Sequence, residues 1–214
     1  MKSFKFICDK AIPLDMINVD TDQIIPKQFL KMVKKEGYGE FLFYNWRYQN
    51  DGTLLTDFVL NDKRYSGRRI LLTRDNFGSG SSREHAVWAL RDFGITVLIA
   101  PSFADIFYNN CFKNGILPVK LERQNVEFLF KNSENEDIVV DLDKQKVVCC
   151  DHSFSFLINE FHKRMLMQGL DEIGLTLELE SAIVDYESKR GNHSSAYCSP
   201  HSSHLSLYVV VINT

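Results

Sequence analysis

A stretch rich in glycine and serine, Asn76 to Ala86, constrains the fold of this chain more than any other feature. It follows the strand-like segment Arg69 to Thr73 and leads into Ser82 to Phe93, which carries apolar residues at helical spacing. The glycine loop is therefore predicted to open onto a helix N-terminus, where free N–H groups and the positive end of the helix dipole face the loop. This arrangement predicts an anion-binding site.

Two interpretations of the loop are open from local spacing alone. In the first, Arg83 offers a planar guanidinium that binds a carboxylate through two hydrogen bonds, and Ser81 and Ser82 supply hydroxyls beside it. In the second, Ser81 and Glu84 match the S-x-x-E capping box, in which the serine simply caps the helix. The loop lacks the Lys-Ser/Thr ending of a P-loop and the G-x-G-x-x-G spacing of a dinucleotide turn.

Composition excludes several classes of protein. With 214 residues, 44% of them hydrophobic and 25% charged, the chain is long enough to bury a full core as one domain with or without an appendage. Its net charge of -3 gives no broad basic field, so we expect no nucleic-acid partner. The chain has no apolar run of about 18 residues and no signal peptide at its start, and we therefore expect a cytoplasmic protein without a membrane span.

The cysteines argue against a metal centre in this chain. They are odd in number, and none belongs to a C-x-x-C pair that would indicate zinc or an iron–sulfur cluster. We therefore predict that the chain alone binds no metal. Adjacent Cys149 and Cys150 are predicted to lie on opposite faces of a strand rather than in a vicinal disulfide.

Short strands and helices alternate along the chain. Strands are predicted over residues 4–8, 69–73, 96–100, 116–120, 138–141 and 146–150, the last two as a hairpin around residues 142–145. Helices are predicted over residues 26–33, 82–93, 102–113, 123–131 and 154–168. This order predicts a layered α/β domain, and the pattern by itself leaves a doubly wound sheet open.

Taken as one string, Asn76 to Ala86 resembles the swivel domain of the aconitase superfamily, most closely the small subunits of the 3-isopropylmalate dehydratase family. The resemblance covers about residues 3–190 and implies an α/β fold, the aconitase-like swivelling β/β/α domain with a mixed sheet. Residues 1–190 are accordingly expected to form one domain. Further stretches agree with the family in the same order, namely residues 18–30, 41–47, 100–111, 114–118 and 169–177.

The resemblance also implies an activity and a partner. Such a subunit works with a large subunit as a hydro-lyase that interconverts 2-isopropylmalate and 3-isopropylmalate in leucine biosynthesis through a dehydrated intermediate. The reaction needs a four-iron four-sulfur cluster, which is expected in the large subunit. By resemblance, Ser81 is the base that removes a proton next to a carboxylate, Arg83 and Ser82 bind a substrate carboxylate, and Lys35 is a specificity contact.

Two other functions stay open at this stage. The chain would also suit the small subunit of a homoaconitase or a related hydroxy-acid dehydratase, because Lys35 and Glu36 stand where relatives often carry Arg-Thr. That departure keeps a positive charge and loses the guanidinium fork. In a different class, the chain would be a non-catalytic module that keeps the glycine loop to bind an anion.

Three smaller features complete the sequence. Asp20 to Asp22 are predicted to cap a helix beginning at Pro26 or to line the subunit interface and the mouth of the active site, because a calcium loop starting at Asp20 would need glutamate where Lys31 stands. His85 is a candidate hydrogen-bond donor behind the site, with a histidine bonded on the helix face as the alternative. Residues 191–214 shift to serine and histidine and have no family counterpart, so they are predicted to form a flexible tail.

Overall fold

The computed structural model describes residues 3–31, 36–170, 174 and 180–191. The chain divides into two compact units, Met1–Leu175 and Thr176–Thr214. In the second unit, the described residues form the helix α7 (Glu180–Gly191). In the first unit, the strands are β1 (Phe6–Asp9), β2 (Ala11–Leu14), β3 (Ile70–Thr73), β4 (Val97–Ala100), β5 (Leu117–Lys120), β6 (Ile138–Asp141), β7 (Lys146–Cys149) and β8 (His152–Ser155). The α-helices of that unit are α1 (Thr21–Ile24), α2 (Tyr44–Arg47), α3 (Glu84–Phe93), α4 (Asp105–Lys113), α5 (Arg123–Asn132) and α6 (Glu160–Gln168).

The strands form two separate sheets. β2, β3, β4 and β5 lie side by side in that order and are parallel, whereas β1, β6, β7 and β8 are antiparallel. Neighbouring parallel strands need a crossover connection, and α3 and α4 supply two of them. The predicted α/β class with both strand directions is confirmed, and the two directions are divided between the sheets.

The parallel sheet is buried on both faces. Successive apolar side chains along each strand point to opposite faces, and each face packs against its own core. Leu71 and its register partner Leu98 join the core that includes Leu90 of α3. Their neighbour Ile70 joins a second core, together with Val140 of the antiparallel sheet. The layers therefore run from helix to parallel sheet to antiparallel sheet, which is a β/β/α arrangement.

Two strands, β2 and β8, were not predicted from the sequence, for identifiable reasons. β2 contains Pro13, which cannot donate a ladder hydrogen bond, but the strand lies at the edge of the parallel sheet where this is tolerated. β8 replaces the first part of the helix predicted over residues 154–168, and that helix begins only at Glu160. The helix predicted over residues 26–33 is instead a 3-10 turn at Lys27–Phe29, with residues 32 and 33 outside the described part.

Cys149 and Cys150 are both free thiols, as predicted, but the prediction that both lie on a strand was wrong. β7 ends at Cys149, which is buried, and Cys150 lies in the turn that leads to β8 with a left-handed φ of 51°. This conformation brings the two sulfur atoms to 3.9 Å from each other. Burial and the neighbouring thiol raise the pKa of Cys149 to about 12, so its thiol is protonated at neutral pH.

Candidate active site

Three loops meet at the carboxyl edge of the parallel sheet, the edge at which open α/β sheets bind ligands. They follow β2, β3 and β4 respectively. The glycine loop after β3 lies between the other two. On one side the Gly78 N–H donates to the Val19 carbonyl at 2.7 Å, and on the other the Phe77 N–H donates to the Ser102 carbonyl at 3.2 Å. Backbone bonds from both neighbours therefore fix the start of the loop.

Glycine is required at position 78 by both space and backbone. Its φ is +77°, and a Cβ built there would lie 2.1 Å from Cγ of Phe107 in α4. Any side chain would push this ring out of the core. Gly80 also has a left-handed φ, +86°, which favours glycine, although the nearest atom to a Cβ there is 3.5 Å away. The glycines thus let the loop turn tightly against α4.

The second half of the loop leaves backbone donors open. Across the described part of the chain, no acceptor meets the amide hydrogens of Gly80, Ser81 or Ser82. The Arg83 N–H turns back to the Ser81 carbonyl at 2.8 Å, and α3 then begins at Glu84. Successive open amides at a helix N-terminus form a concave site for an anion.

The predicted Ser81–Glu84 capping box is wrong. The residue preceding α3 is Arg83, and no side chain accepts a bond from the first amides of this helix. The Glu84 carboxylate instead accepts from Nδ2 of Asn114 at 2.9 Å. The prediction that Asp20 to Asp22 cap a helix starting at Pro26 was wrong: the 3-10 turn there has no side-chain cap from the described residues, and Asp20 and Gln23 instead form a full capping box on α1.

Arg83 is held by a carboxylate from the neighbouring loop. One terminal nitrogen of its guanidinium donates to Oδ1 of Asp22, in a contact between side chains that are 17% and 50% exposed. The hydrogen bond from Arg83 is the main cause that lowers the pKa of the Asp22 carboxyl. No other described residue accepts from the remaining nitrogens of Arg83, so the guanidinium is oriented and still open to a second anion.

A cleft of about 290 Å³ opens between the glycine loop and the start of α4. Loop backbone, Ser81 and Arg83 make one wall polar, whereas the opposite wall carries Ile106, which is 54% exposed, and Phe107. The cleft therefore suits a small anion that also carries an apolar group. Its lining consists of Gly78, Gly80, Ser81, Arg83, Ala104, Asp105, Ile106 and Phe107.

The structure brings together two of the four predicted site residues in this cleft. Ser81 and Arg83 line it, and Ser82 is exposed beside it without lining it. Lys35 lies outside the described residues. The His85 ring packs against Trp88 with 4.5 Å between the ring centroids, and burial lowers the pKa of its imidazole.

The sequence analysis placed Thr21 only in a segment predicted to cap a helix or line the mouth of the active site, and it missed the contacts by which Thr21 and Ser102 hold the loop in place. Thr21 donates through Oγ1 to the Ser81 carbonyl at 3.0 Å, and the Ser102 hydroxyl accepts from the Asn76 N–H at 2.8 Å. No local pattern reveals such contacts, because Thr21 and Ser81 are 60 residues apart. The signal that could have found the Thr21 contact was the position of both segments after strands of one parallel sheet, and β2 itself was not predicted.

Metal and membrane features were also searched in the described ranges. Across them, no three histidine, cysteine, aspartate or glutamate side chains come together as ligands for a metal ion. Every helix found there is too short or too polar to cross a membrane.

Comparisons with known proteins agree with this geometry. Residues 1–124 match the family described as the aconitase C-terminal domain. The chain is 54% identical over 191 residues to the 3-isopropylmalate dehydratase small subunit of Roseobacter denitrificans, covering 87% of this chain and 95% of that one. It is 52% identical over 194 residues to the corresponding subunit of Brevibacillus brevis, covering 89% and 100% of the two chains.

A solved structure supports the same fold. The crystal structure of 3-isopropylmalate dehydratase from Methanocaldococcus jannaschii matches with a TM-score of 0.61 at 24% identity, covering 85% of this chain and 99% of that one. The aconitase-like fold predicted from the glycine loop and its flanking stretches is confirmed. The sequence relatives confirm the family resemblance.

Proposed function

Because the chain belongs to the family of 3-isopropylmalate dehydratase small subunits, we propose that it forms a hydro-lyase with a large subunit. This enzyme interconverts 2-isopropylmalate and 3-isopropylmalate in leucine biosynthesis by removing water and adding it back. One observation carries the proposal: a single cleft holds open loop amides, the Ser81 hydroxyl and an oriented Arg83 guanidinium. A substrate with two carboxylates and an apolar branch fits this combination of polar and apolar walls.

Arg83 binds one carboxylate of the substrate in this proposal. Asp22 occupies one terminal nitrogen and fixes the direction of the guanidinium, so its other donors meet the incoming carboxylate without a search through rotamers. The exposed Ser82 hydroxyl adds a hydrogen bond at the rim. Lys35, outside the described residues, is proposed as a contact that chooses among related acids.

Ser81 transfers the proton. Its oxygen takes the hydrogen from the carbon next to a carboxylate, the electron pair of that bond forms the double bond, and hydroxide leaves from the neighbouring carbon. Readdition of water with the opposite regiochemistry gives the other isomer and returns the proton. A serine hydroxyl is too weak a base unless its alkoxide is stabilised, and in this proposal the Arg83 charge, the open loop amides and the α3 dipole supply that stabilisation.

We place the four-iron four-sulfur cluster of the enzyme in the large subunit. The described residues of this chain do not fit such a cluster, because they bring no three suitable ligands together. When bound in the partner, the cluster supplies a Lewis acid for the departing hydroxyl. We further propose that neither nucleic acid nor membrane takes part, and that the enzyme works in the cytoplasm, where a biosynthetic enzyme meets its soluble substrates.

Reconstitution tests this function. The purified chain should show neither cluster absorbance nor turnover of 2-isopropylmalate, and mixing it with the cognate large subunit should produce both. Homologous tricarboxylic acids, offered to the same complex, test the homoaconitase alternative. Cluster absorbance from the chain alone, or preference of the complex for a tricarboxylic acid, would overturn the assignment. Carboxylate binding without turnover in the complex would instead support the non-catalytic module.

We also propose that residues 1–190 make up the catalytic domain and that the tail contributes nothing to it. The relatives align with 87% and 89% of the chain, which leaves room for a segment without a counterpart. Deleting residues 192–214 keeps the last residue of α7, Gly191. The truncated chain should retain its melting temperature and its turnover with the large subunit. A clear fall in either quantity would show that the tail belongs to the domain.

A further inference from the structure

Thr21 connects the loop after β2 to the chemically active half of the glycine loop. Its side chain is 1% exposed and its Oγ1 donates to the Ser81 carbonyl at 3.0 Å. Its backbone N–H donates to the Ser79 carbonyl at 2.9 Å. Two bonds from one buried residue thus bracket Gly80, where the left-handed backbone gives the loop most freedom.

The Thr21 hydroxyl makes no hydrogen bond within its own helix, α1. α1 is capped by Asp20, whose carboxylate accepts from the Gln23 N–H while the Gln23 side chain accepts from the Asp20 N–H. Among the described residues, the Ser81 carbonyl is the one acceptor of the Thr21 hydroxyl. A buried hydroxyl needs a partner, and here the partner lies in the candidate active site.

Peptide geometry turns this bond into a constraint on the site. The peptide that joins Ser81 to Ser82 is planar and trans, so its C=O and N–H point in opposite directions. The Thr21 hydroxyl and the Arg83 N–H both donate to this C=O, and the bond from Thr21 draws the oxygen toward the loop after β2, so the Ser82 N–H is aimed away from Thr21. The same plane contains the Ser81 Cα, so the bond from Thr21 also restrains the atom from which the Ser81 side chain leaves the backbone.

From these contacts we propose that Thr21 is a positioning residue for the reaction. Its hydroxyl fixes the Ser81–Ser82 peptide so that the Ser82 amide and the Ser81 oxygen converge on the site of proton transfer. This inference rests on the proposed function, because it assigns Thr21 an effect that passes through Ser81. Thr21 touches no substrate, and its loss should lower kcat rather than raise KM, since Arg83 still binds the carboxylate.

The test uses the reconstituted complex and a matched control. Thr21→Val keeps the shape and removes the donor, and Thr21→Ser keeps the donor. Thr73→Val is the control, because Thr73 is also fully buried and its Oγ1 donates to the Met16 carbonyl at 3.3 Å, away from Ser81. Thr21→Val should lower kcat about ten- to hundredfold, the scale of a misaligned reacting group. Thr21→Ser should restore most of kcat, and Thr73→Val should leave it intact.

Hydrogen exchange separates this inference from the proposed function. In the complex, Thr21→Val should speed exchange of the hydrogen-bonded amides of Ser79 and Arg83, and Thr73→Val should not, whatever substrate the enzyme uses. If the wild-type complex does not turn over isopropylmalate, the proposed function is refuted, and the exchange measurement still tests the role of Thr21. If the Thr21→Val complex has the kcat and the exchange rates of wild type, the positioning role of Thr21 is refuted and the proposed function is not. If Thr21→Val does not fold, Thr21→Ala takes its place, and equal kcat for the Ala and Ser variants would refute the inference.

Discussion

Ser81→Ala should separate catalysis from stability, because the structure gives the hydroxyl no structural partner. Ser81 is exposed, it does not cap α3, and no described group bonds to its hydroxyl. Removing such a surface group changes the free energy of unfolding by no more than about 0.5 kcal/mol. For a chain of this size, that corresponds to a change in melting temperature of about 2 °C or less.

The expected kinetic effect is much larger. Loss of a general base lowers the rate of the chemical step by about 100-fold or more, which is about 2.7 kcal/mol of transition-state free energy. KM should change little, because Arg83 and its Asp22 partner are untouched. The variant should therefore combine nearly normal stability and binding with a severe loss of kcat.

Asn159→Ala is the matched control for a true helix cap. Asn159 precedes α6 and its side chain accepts from the Phe161 N–H at 2.8 Å. Its removal should cost about 1 kcal/mol and lower the melting temperature by about 2–4 °C, with kcat per folded complex unchanged. The assay measures thermal unfolding and steady-state turnover of 2-isopropylmalate for both variants after reconstitution. Wild-type kcat in Ser81→Ala would refute the catalytic role, and a stability loss like that of Asn159→Ala would revive the capping role.

Three further variants test the surroundings of the cleft. Arg83→Lys should raise KM about tenfold or more with a smaller effect on kcat, because an ammonium keeps the charge and loses the fork; a larger fall in kcat than rise in KM would contradict this. Gly78→Ala should abolish stable folding, because the new Cβ would displace Phe107. Gly67→Ala, at φ +75° and with no described atom within 4 Å of the new Cβ, should lower the free energy of unfolding by only about 1–2 kcal/mol. Equal unfolding curves for the two variants would refute the steric argument. Because Arg83 lowers the pKa of Asp22 in the folded chain, the pair stabilises the fold above the unfolded pKa of about 4, and this contribution disappears as pH falls through the folded pKa. The difference in melting temperature between wild type and Asp22→Asn should thus be constant above about pH 5 and shrink below pH 4, and a difference that grows in acid would reverse the assigned sign.

The candidate site could be located from the sequence because its proposed reacting groups are contiguous. Ser81, Ser82 and Arg83 follow one another on a glycine loop, and the strand before it and the helix after it both carry clear apolar patterns. The six predicted strands are present with small shifts at their ends, and the hairpin of β6 and β7 is confirmed by the pairing of Ile138 with Cys149. Local periodicity is sufficient for elements of this kind.

The errors have a common physical origin in contacts between distant parts of the chain. The S-x-x-E pattern predicts a cap, yet Glu84 bonds instead to Asn114, 30 residues further along, and the chain is bent between Ser81 and Arg83. Pro13 argued locally against a strand, and only the position of β2 at a sheet edge makes it acceptable. A short local sequence pattern carries no information about which groups from distant parts of the chain compete for a hydrogen bond.

Two loops that are distant in sequence have different roles in the candidate site. In the proposed mechanism, the loop after β3 supplies the reacting groups, whereas the segment after β2 supplies the groups that would orient them: the Val19 carbonyl, the Thr21 hydroxyl and the Asp22 carboxylate. A flexible glycine loop alone would lose much conformational entropy when it closed on a substrate. Because the second loop is fixed by the strand β2 and by the capped helix α1, that entropy is lost on folding rather than in each catalytic cycle. Preorganisation of this kind requires both loops at the carboxyl edge of one parallel sheet, and this is the condition that the β/β/α fold meets.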